Sequence, residues 1–505
     1  MDNRTSKLDT AFVGHPKPLF SLSATELWER FSFYGVRALL VLYMSAAMVD
    51  GGLGIDRGQA SAIVGIFSGC LYLAALPGGY LADNLLGQRN ATLIGASLIA
   101  LGHLSIALSV FSTFMFFLGL ILIVLGTGLF KTCASIMVGL LYKKGDPRRD
   151  SGFTIFYMGI NIGAFIAPIV CGTMKEEYGW HWGLGIGGIG MLISLLIFYF
   201  KTIPDFNEFD REVGIDKSWT GPKDTNRWVL PAVFVGLGIL VAAILLVATG
   251  VVPFDAVKVS KSMVLVIGLC ALAYFLYLLF LTNLDSADRS KLLVFVVLFC
   301  SSAIFWSTFE QQPTAFNLFT ESYVNRMVGS FEIPVTWFLS INAIFIIVLA
   351  PVVGAVWIAL SKRNMDLSSV TKFALGAIFA AACFGLMIFA SYEIIDNPGT
   401  LISPMWLIVA YFLLTIGELA LSPVGLSLMT QLAPSAIKGQ VMGLWFVSIS
   451  LGSVVAGLFG GEVKEDDPST LPSLFGTSVV MLLVIAAILL VLKPKLNKLL
   501  TGNKS

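Results

Sequence analysis

The sequence predicts an all-α polytopic membrane protein with fourteen transmembrane helices, and three observations lead to this prediction. Apolar residues make up 57% of the 505 residues and charged residues only 12%, about half the roughly 25% of a soluble globular protein. The mean hydropathy is +0.86. The apolar residues also gather in continuous runs long enough to cross a bilayer, where a helix satisfies its own backbone hydrogen bonds.

Fourteen such runs follow one another along the chain. They are continuously apolar and do not alternate with polar residues, so they favour helices over the strands of a transmembrane barrel. The runs lie at about 19–49, 58–82, 91–110, 113–142, 151–174, 182–200, 228–249, 261–282, 291–320, 333–360, 370–391, 402–431, 436–460 and 471–492.

Composition and motifs exclude several other classes of protein. A net charge of +1 gives no basic surface for nucleic acid. Residues 1–18 have no short apolar region before a cleavage site, so no removable signal peptide is predicted. The six cysteines lie in apolar runs without CxxC pairing, and the three histidines (His15, His103 and His181) are far apart and form no HExxH. We therefore predict no enzyme, no catalytic residue, no metal and no cofactor besides a coupling ion.

The distribution of Lys and Arg predicts the topology. Of the 32 such residues, 23 lie on the side of the N-terminus, 6 lie in the opposite loops and 3 lie inside spans. Cytoplasmic loops are the Lys- and Arg-rich ones, so both termini are expected in the cytoplasm. The sequence thus predicts a multi-pass protein of the cell (inner) membrane whose surroundings are the lipid bilayer, with no obligate protein partner evident.

The longest polar stretch, about 201–227, separates two groups of spans. Two spans without internal charge follow it, and setting this pair aside leaves six plus six. That is the arrangement of the major facilitator superfamily, whose related halves enclose a substrate site near the midplane. The predicted segments are a cytoplasmic tail at 1–18, a six-helix bundle at 19–200, a linker with two extra helices at 201–290, a second bundle at 291–495 and a cytoplasmic tail at 496–505.

The loop after the second span resembles the loop motif of that superfamily. It reads Gly79-Tyr80-Leu81-Ala82-Asp83 and then Gly87-Gln88-Arg89. Asp83 is expected either to cap a helix N-terminus or to pair with Arg89.

Seven ionisable residues lie inside spans, where a charge costs a few kcal/mol and therefore indicates function. Numbered within the twelve-span core, span 1 carries four of them in one stripe, because 100° per residue places these four and Tyr34 within an arc of about 140°. Glu26 and Arg30 have the i, i+4 spacing of an ion pair. The seven are Glu26, Glu29, Arg30 and Arg37 in span 1, Lys131 in span 4, Glu310 in span 7 and Glu418 in span 10.

Symmetry between the two halves suggests partners for these charges. Spans 1 and 7 are equivalent, as are spans 4 and 10, so opposite charges on them can meet and separate as access alternates. Four carboxylates stand against three cations. A buried carboxylate without a cation tends to bind a proton, although sodium coupling would also use carboxylates.

Four sequence blocks resemble the motifs of the proton-dependent oligopeptide transporter family. Residues 26–35 (ELWERFSFYG) resemble ExxERFxYYG, and residues 305–311 (FWSTFEQ) match FWxxFEQ. Residues 146–163 and 417–425 resemble the family's span-5 and span-10 motifs. Phe33 stands where the family often has Tyr, and Thr132-Cys133 follows Lys131 where Pro-Asn is common. The extra helix pair is typical of prokaryotic members.

The resemblance implies import of di- and tripeptides by proton symport. It implies proton coupling by Glu26, Glu29 and Arg30 together with Glu310, and gating pairs Arg37–Glu310 and Lys131–Glu418. The implied peptide-site residues, which include two cations for the peptide carboxylate and one anion for its ammonium, are Tyr34, Arg37, Tyr72, Lys131, Asn161, Trp306, Asn342, Glu418, Ser422 and Trp445.

Other functions stay open at this point. A carrier of the same fold for a single amino acid or nitrate is the main alternative. A channel would conduct instead of saturating, and a membrane-embedded enzyme would turn over a substrate in purified form.

Overall fold

Long helices dominate the computed structural model, which describes residues 7–143, 146–221, 229–249, 251–282, 285–363, 365, 367–432, 438–465 and 467–501. Fourteen helices within these residues are 18 residues or longer, which is consistent with the predicted number of spans. Twelve stretches of the described residues are apolar and long enough to cross a membrane. One of them, Arg57–Val110, contains two helices of 18 residues or longer, and the charged first helix is not among the twelve.

The first half of the chain contains helices α1 to α8. Their bounds are α1 Pro18–Ser45, α2 Arg57–Leu81, α3 Gly87–Ala107, α4 Thr113–Leu140, α5 Arg149–Tyr178, α6 Trp180–Ile197, α7 Ile203–Val213 and α8 Val229–Ala248. Wider π-helical turns at Ala82–Leu86 and Phe198–Thr202 join α2 to α3 and α6 to α7.

The second half contains helices α9 to α16 and a short hairpin. Their bounds are α9 Ala256–Phe280, α10 Ser286–Phe309, α11 Asn317–Tyr323, α12 Ser340–Lys362, α13 Ser369–Asp396, α14 Met405–Leu432, α15 Lys438–Gly460 and α16 Leu471–Thr501. The hairpin pairs β1 Met327–Val328 with β2 Phe331–Glu332 in antiparallel fashion.

Two segments differ from the runs predicted from hydropathy. The polar stretch that begins near 201 is helical as far as Val213, because α7 buries Phe206 and Phe209 on one face. Phe206 also stacks on Trp219, with ring centres 4.5 Å apart. The run at 291–320 is interrupted: α10 ends at Phe309, and the wide turn Gln312–Phe316 contains Pro313, which lacks the N–H that a continuous helix needs.

The described residues fall into two compact units. Unit 1 lies within residues 1–39 and 70–255, and unit 2 lies within residues 40–69 and 256–505. Both α1 and α2 therefore run from one unit into the other.

In unit 1, the segment before α1 is bound to the connection between α4 and α5. His15 hydrogen-bonds through Nδ1 to Tyr142 and through Nε2 to Ser151, both at 2.8 Å. Arg148 forms ion pairs with Asp9 at 2.9 Å and Asp146 at 2.8 Å. The hydrogen bond from Arg148 holds the pKa of Asp146 below its usual value. We call these residues (Asp9, His15, Tyr142, Asp146, Arg148 and Ser151) the N-terminal clasp.

In unit 2, α9 is attached to the first part of α2. Gln59 Oε1 accepts a hydrogen bond from the backbone N–H of Ala256 at 2.7 Å, which caps the start of α9. Ser260 donates to the carbonyl of Ala62 at 3.4 Å. Farther along α9, Phe275 packs edge-on against Phe299 of α10 with ring centres 5.2 Å apart.

Candidate functional site

The charged stripe of α1 forms a buried triad in unit 1. Glu26, Glu29 and Arg30 are 2%, 1% and 6% exposed. Arg30 Nε donates to Glu26 Oε1 at 2.8 Å and lies 3.1 Å from Glu29 Oε2. Glu26 Oε2 and Glu29 Oε2 are buried without a hydrogen-bond partner among the described residues. One cation thus faces two carboxylates, and a bound proton would balance the remaining negative charge.

An aromatic ring lies between the two arginines of α1. The guanidinium carbons of Arg30 and Arg37 each lie 5.8 Å from the centre of the Phe33 ring. This is the distance of a cation–π contact. Tyr34, which is half-buried, packs edge-on against Phe33 at 5.0 Å. The departure from the family motif at this position therefore keeps the aromatic face and removes only a hydroxyl.

Lys131 of α4 lies close to the ring of Tyr72 on α2. Its ammonium is 3.9 Å from the ring centre, within the range of a cation–π contact. It also interacts electrostatically with Arg30, Glu29 and Glu26. The structure thus brings Lys131 into the electrostatic surroundings of the α1 triad, which the sequence did not predict.

Close packing of α5 against α1 positions Asn161. A β-carbon at Gly163 would lie 2.4 Å from the carbonyl oxygen of Leu27, so only glycine allows this approach of the two backbones. Asn161 is buried, and its Nδ2 donates to the carbonyl of Tyr157 at 2.9 Å. This bond orients the side-chain amide and leaves Oδ1 as an acceptor.

Unit 2 contains a second buried carboxylate, Glu418 of α14. Its Oε2 accepts a hydrogen bond from Asn342 Nδ2 of α12 at 3.2 Å. The same Nδ2 lies 3.0 Å from Thr415 Oγ1, one turn before Glu418. Asn342 and Glu418 were both predicted as site residues, whereas Thr415 was not. Its position three residues before Glu418 is the only sequence signal that could have suggested it.

Two predicted residues lie at the end of α10. Trp306 is 8% exposed and packs edge-on against Phe309, with ring centres 5.1 Å apart. Its indole Nε1 is buried without a hydrogen-bond partner among the described residues. Glu310 is buried directly after the last residue of α10. The break in the helix thus falls at a predicted functional carboxylate.

The last two predicted residues lie on α14 and α15. Ser422 is half-buried, and Trp445 is buried edge-on against Phe373 at 6.4 Å. A β-carbon at Gly425 would lie 2.4 Å from the Trp445 ring, so the glycine of the span-10 motif makes room for the indole.

Some of the predicted residues therefore come together within each unit. Unit 1 brings Glu26, Glu29, Arg30 and Lys131 together electrostatically, and unit 2 joins Asn342 to Glu418. One expectation was wrong: Asp83 neither caps α3 nor pairs with Arg89, but accepts a hydrogen bond from Gln88 Nε2 at 2.9 Å. The π-helical turn at Ala82–Leu86 is a reason for the difference, because it changes the relative directions of the side chains on either side of it.

The chain is similar to known proteins over nearly its whole length. A family model described as "POT family" matches residues 89–469. The chain is 52% identical to the peptide transporter YePEPT of Yersinia enterocolitica subsp. palearctica serotype O:3 (strain YE-P4), over 98% of this chain and 97% of that protein. It is 33% identical to a di-/tripeptide transporter of Lactococcus lactis subsp. cremoris, over 98% of each. The crystal structure of a peptide transporter POT in complex with sulfate superposes with a TM-score of 0.86 at 35% identity, over 97% of each chain.

Proposed function

Because the chain belongs to the POT family, we propose that it imports di- and tripeptides by proton symport through alternating access. The family predicted from the sequence motifs and the all-α fold predicted from the apolar runs are confirmed, and the chain is a multi-pass membrane transporter and not an enzyme.

The observation that carries proton coupling is the position of Arg30 between Glu26 and Glu29. Arg30 forms ion pairs with both carboxylates, and Lys131 adds an electrostatic interaction. One guanidinium in direct contact with two buried carboxylates leaves them incompletely neutralised, and such a carboxylate in a low-dielectric site favours the protonated form. Protonation of one carboxylate leaves Arg30 paired with the other. Proton binding and release thus change the charge of α1 without leaving an unpaired cation, which suits a coupling step.

Peptide recognition is assigned by charge. A peptide zwitterion presents an ammonium and a carboxylate several ångströms apart. Glu418, oriented by Asn342, would bind the ammonium, and Arg37 with Lys131 would bind the carboxylate, because Arg is suited to bidentate contact. Asn161 and Asn342 would bind the peptide amide. The remaining walls are assigned to Tyr34, Tyr72, Trp306, Ser422 and Trp445.

Gating is assigned to Arg37 with Glu310 and to Lys131 with Glu418. The members of each pair belong to different units, so these pairs remain predictions from the sequence. The attraction between two such charges in a water-poor contact is of the order of the few kcal/mol that separate access states. Protonation of Glu310 would cancel its charge and favour opening.

The cellular setting is also part of the proposal. Both termini are assigned to the cytoplasm and the chain to the inner membrane, from the excess of Lys and Arg in one set of loops. The proton is the only coupling agent assigned, with no further cofactor and no obligate protein partner. We also propose that residues 18, 200, 290 and 495 end the N-terminal tail, the first bundle, the linker with the two extra helices and the second bundle, respectively.

Uptake into liposomes tests the proposed function. Purified protein should accumulate labelled dialanine when the external side is acidic, and a protonophore should abolish accumulation. Excess unlabelled tripeptide should compete, whereas single amino acids and nitrate should not. If only an amino acid or nitrate competed, the protein would be a carrier of that solute and not of peptides. Accumulation driven by a sodium gradient at equal pH would show that sodium, and not the proton, is the coupling ion.

A further inference from the structure

The short β-hairpin before α12 presents large apolar side chains on its surface. Met327, Val328 and Phe331 are 52%, 62% and 52% exposed. They belong to β1 and β2, and Gly329 adopts a φ of +62° in the turn between the two strands. Three exposed large apolar residues so close together in sequence indicate a contact with an apolar surface.

The register of the two strands gives the hairpin one wholly apolar face. Val328 pairs with Phe331, and Met327 pairs with Glu332. Paired residues project to the same side of an antiparallel pair, whereas neighbours along a strand project to opposite sides. Val328 and Phe331 therefore share one side, which we call the apolar face. Met327 shares the other side with the charged Glu332.

The hairpin satisfies its own charges and backbone groups. Arg326 Nη2 lies 2.6 Å from Glu332 Oε1, and Nη1 donates to the carbonyl of Ile333 at 2.9 Å. The backbone N–H of Ile333 donates in turn to the carbonyl of Arg326 at 2.8 Å. Unpaired charges and unbonded peptide groups are what make contact with a membrane costly, so these bonds lower the cost for this segment.

The apolar face continues into the exposed surface of α12. The ring of Phe331 lies 5.7 Å from that of the half-buried Trp337. Trp337 belongs to a 3₁₀ turn, Val335–Leu339, that runs directly into α12. Seven residues are about two helical turns, so Trp337 lies on nearly the same side as Ile344. An exposed apolar stripe of this membrane-spanning helix begins there and consists of Ile344, Ile347, Val348, Val352 and Ile358.

The length of this segment places Trp337 at the edge of the membrane. The apolar stretch Val335–Lys362 has 28 residues. As a helix it is about 40 Å long, whereas the hydrocarbon core of a bilayer is about 30 Å thick. The charge of Lys362 requires one end to reach the headgroups. Trp337 then lies near the opposite headgroup layer, where Trp is enriched, and Phe331 lies at the same level because it contacts Trp337.

We propose that this hairpin docks on the lipid bilayer, with Val328 and Phe331 inserted among the headgroups beside Trp337 and with Met327 directed towards water. The leaflet is the one opposite Lys362, which the proposed topology makes the outer leaflet. The hairpin thereby anchors the connection between α11 and α12 to the membrane surface. The inference does not depend on the solute that is carried.

Nitroxide labels on single cysteines measure the depth of each side chain. Val328→Cys, Phe331→Cys and Met327→Cys are made with the exposed Cys270 and Cys300 replaced by serine, and the parent without an added cysteine gives the background. In phosphatidylcholine liposomes, collisions with oxygen and with a water-soluble nickel chelate report the depth. Labels at positions 328 and 331 should lie about 5 Å or more below the lipid phosphates. A label at position 344 gives the reference for the hydrocarbon core.

Met327→Cys is the matched control, because Met327 is as exposed as Phe331 and adjoins Val328, but projects to the other side of the hairpin. Its label should lie at or above the level of the phosphates. Val328→Cys leaves the contact between Phe331 and Trp337 intact, so it decides the test if Phe331→Cys disturbs the hairpin.

Two results would overturn the proposal. Equal depths at positions 327 and 328, or free access of the nickel chelate to position 328, would show that the apolar face does not enter the lipid. Dipolar broadening between labels at position 328 on two copies, without access to oxygen, would assign this face to a second copy of the chain. Failure of the wild type to accumulate peptides would contradict only the proposed function, because the label depths do not depend on transport.

Discussion

The ammonium of Lys131 lies 3.9 Å from the centre of the Tyr72 ring, so an aromatic face holds this cation within unit 1. A cation–π contact is worth about 0.5–2 kcal/mol, or about 2- to 30-fold in affinity. Tyr72→Leu should weaken binding of dipeptides with a free carboxylate by this factor and affect C-amidated dipeptides less, because only the former use Lys131. Tyr72→Phe keeps the ring and serves as the control. Binding titrations with both kinds of dipeptide measure the difference in affinity. Equal losses of affinity for both ligands would show that Tyr72 does not act through Lys131.

Glu418→Gln should discriminate between peptides with free and with blocked amino groups. Removing one charge of a buried pair costs a few kcal/mol, about 10²-fold or more in affinity. N-acetylated dipeptides lack the ammonium and should lose far less. Thr415→Val removes the other partner of Asn342 without touching the carboxylate and should affect both ligands equally and weakly. A uniform loss in Glu418→Gln would leave Glu418 as a structural anion.

Glu29→Gln should abolish accumulation of peptide against a gradient and retain counterflow, at least in part. Glutamine resembles a permanently protonated carboxyl group, so Arg30 keeps Glu26 but the triad no longer binds and releases a proton at this position. Glu176→Gln, an exposed carboxylate at the end of α5, is the control. Acid-stimulated uptake by Glu29→Gln at the wild-type level would mean that the proton uses another path.

Gly163→Ala should destabilise the protein by about 1–3 kcal/mol, the usual effect of overpacking. The added β-carbon would lie 2.4 Å from the carbonyl of Leu27, and backbone cannot rotate away as a side chain can. Gly185→Ala in α6 is the matched control, because nothing lies within 4 Å of its β-carbon position. Thermal unfolding in detergent measures both. A Gly163→Ala variant as stable as Gly185→Ala would refute the close approach of α1 and α5.

Arg148→Gln in the N-terminal clasp should make stability less dependent on pH. Arg148 lowers the pKa of Asp146 relative to the unfolded chain, so this carboxylate stabilises the folded protein above its unfolded pKa of about 4, and the contribution is lost as pH falls through the lowered folded value. The wild type should therefore exceed the variant at pH 7 by about 1 kcal/mol or less, and the difference should shrink towards pH 3. Lys464→Gln, from an exposed pair with Asp467, is the comparison. A difference that grows on acidification would contradict this sign.

The sequence was most informative about the membrane-spanning helices and the charges inside them, because the bilayer constrains both. A bilayer requires continuous apolar helices, so each run located a long helix, and the run at 113–142 is the helix Thr113–Leu140. The helix ends were predicted less well, because the helix of the run at 471–492 continues to Thr501. Charges inside spans are rare because the bilayer makes them costly. Glu26, Arg30 and Glu418 could therefore be selected by type and position alone, and the structure places all three in buried polar contacts.

Contacts between helices could not be predicted in this way. Nothing in the local sequence relates Ser32 to His103, whose side chains form a hydrogen bond although they are 71 residues apart. The Asp83–Arg89 pairing assumed a regular turn, whereas a π-helical turn directs Asp83 to Gln88. The helix Ile203–Val213 was not predicted, because the prediction relied on continuous apolar runs. An amphipathic helix that buries two phenylalanines has a polar average composition.

The attachment of α9 to α2 limits how far this transporter can be shortened. An engineered twelve-helix form made by excising α8 and α9 would remove the Ala256 N–H from Gln59 and the Ser260 hydroxyl from the carbonyl of Ala62. It would also uncover the face of α10 that Phe275 occupies, next to Phe299. A functional minimal carrier would therefore need apolar substitutions on α2 and a new lipid-facing surface on α10, so the helix pair has to be treated as part of the scaffold when the protein is redesigned.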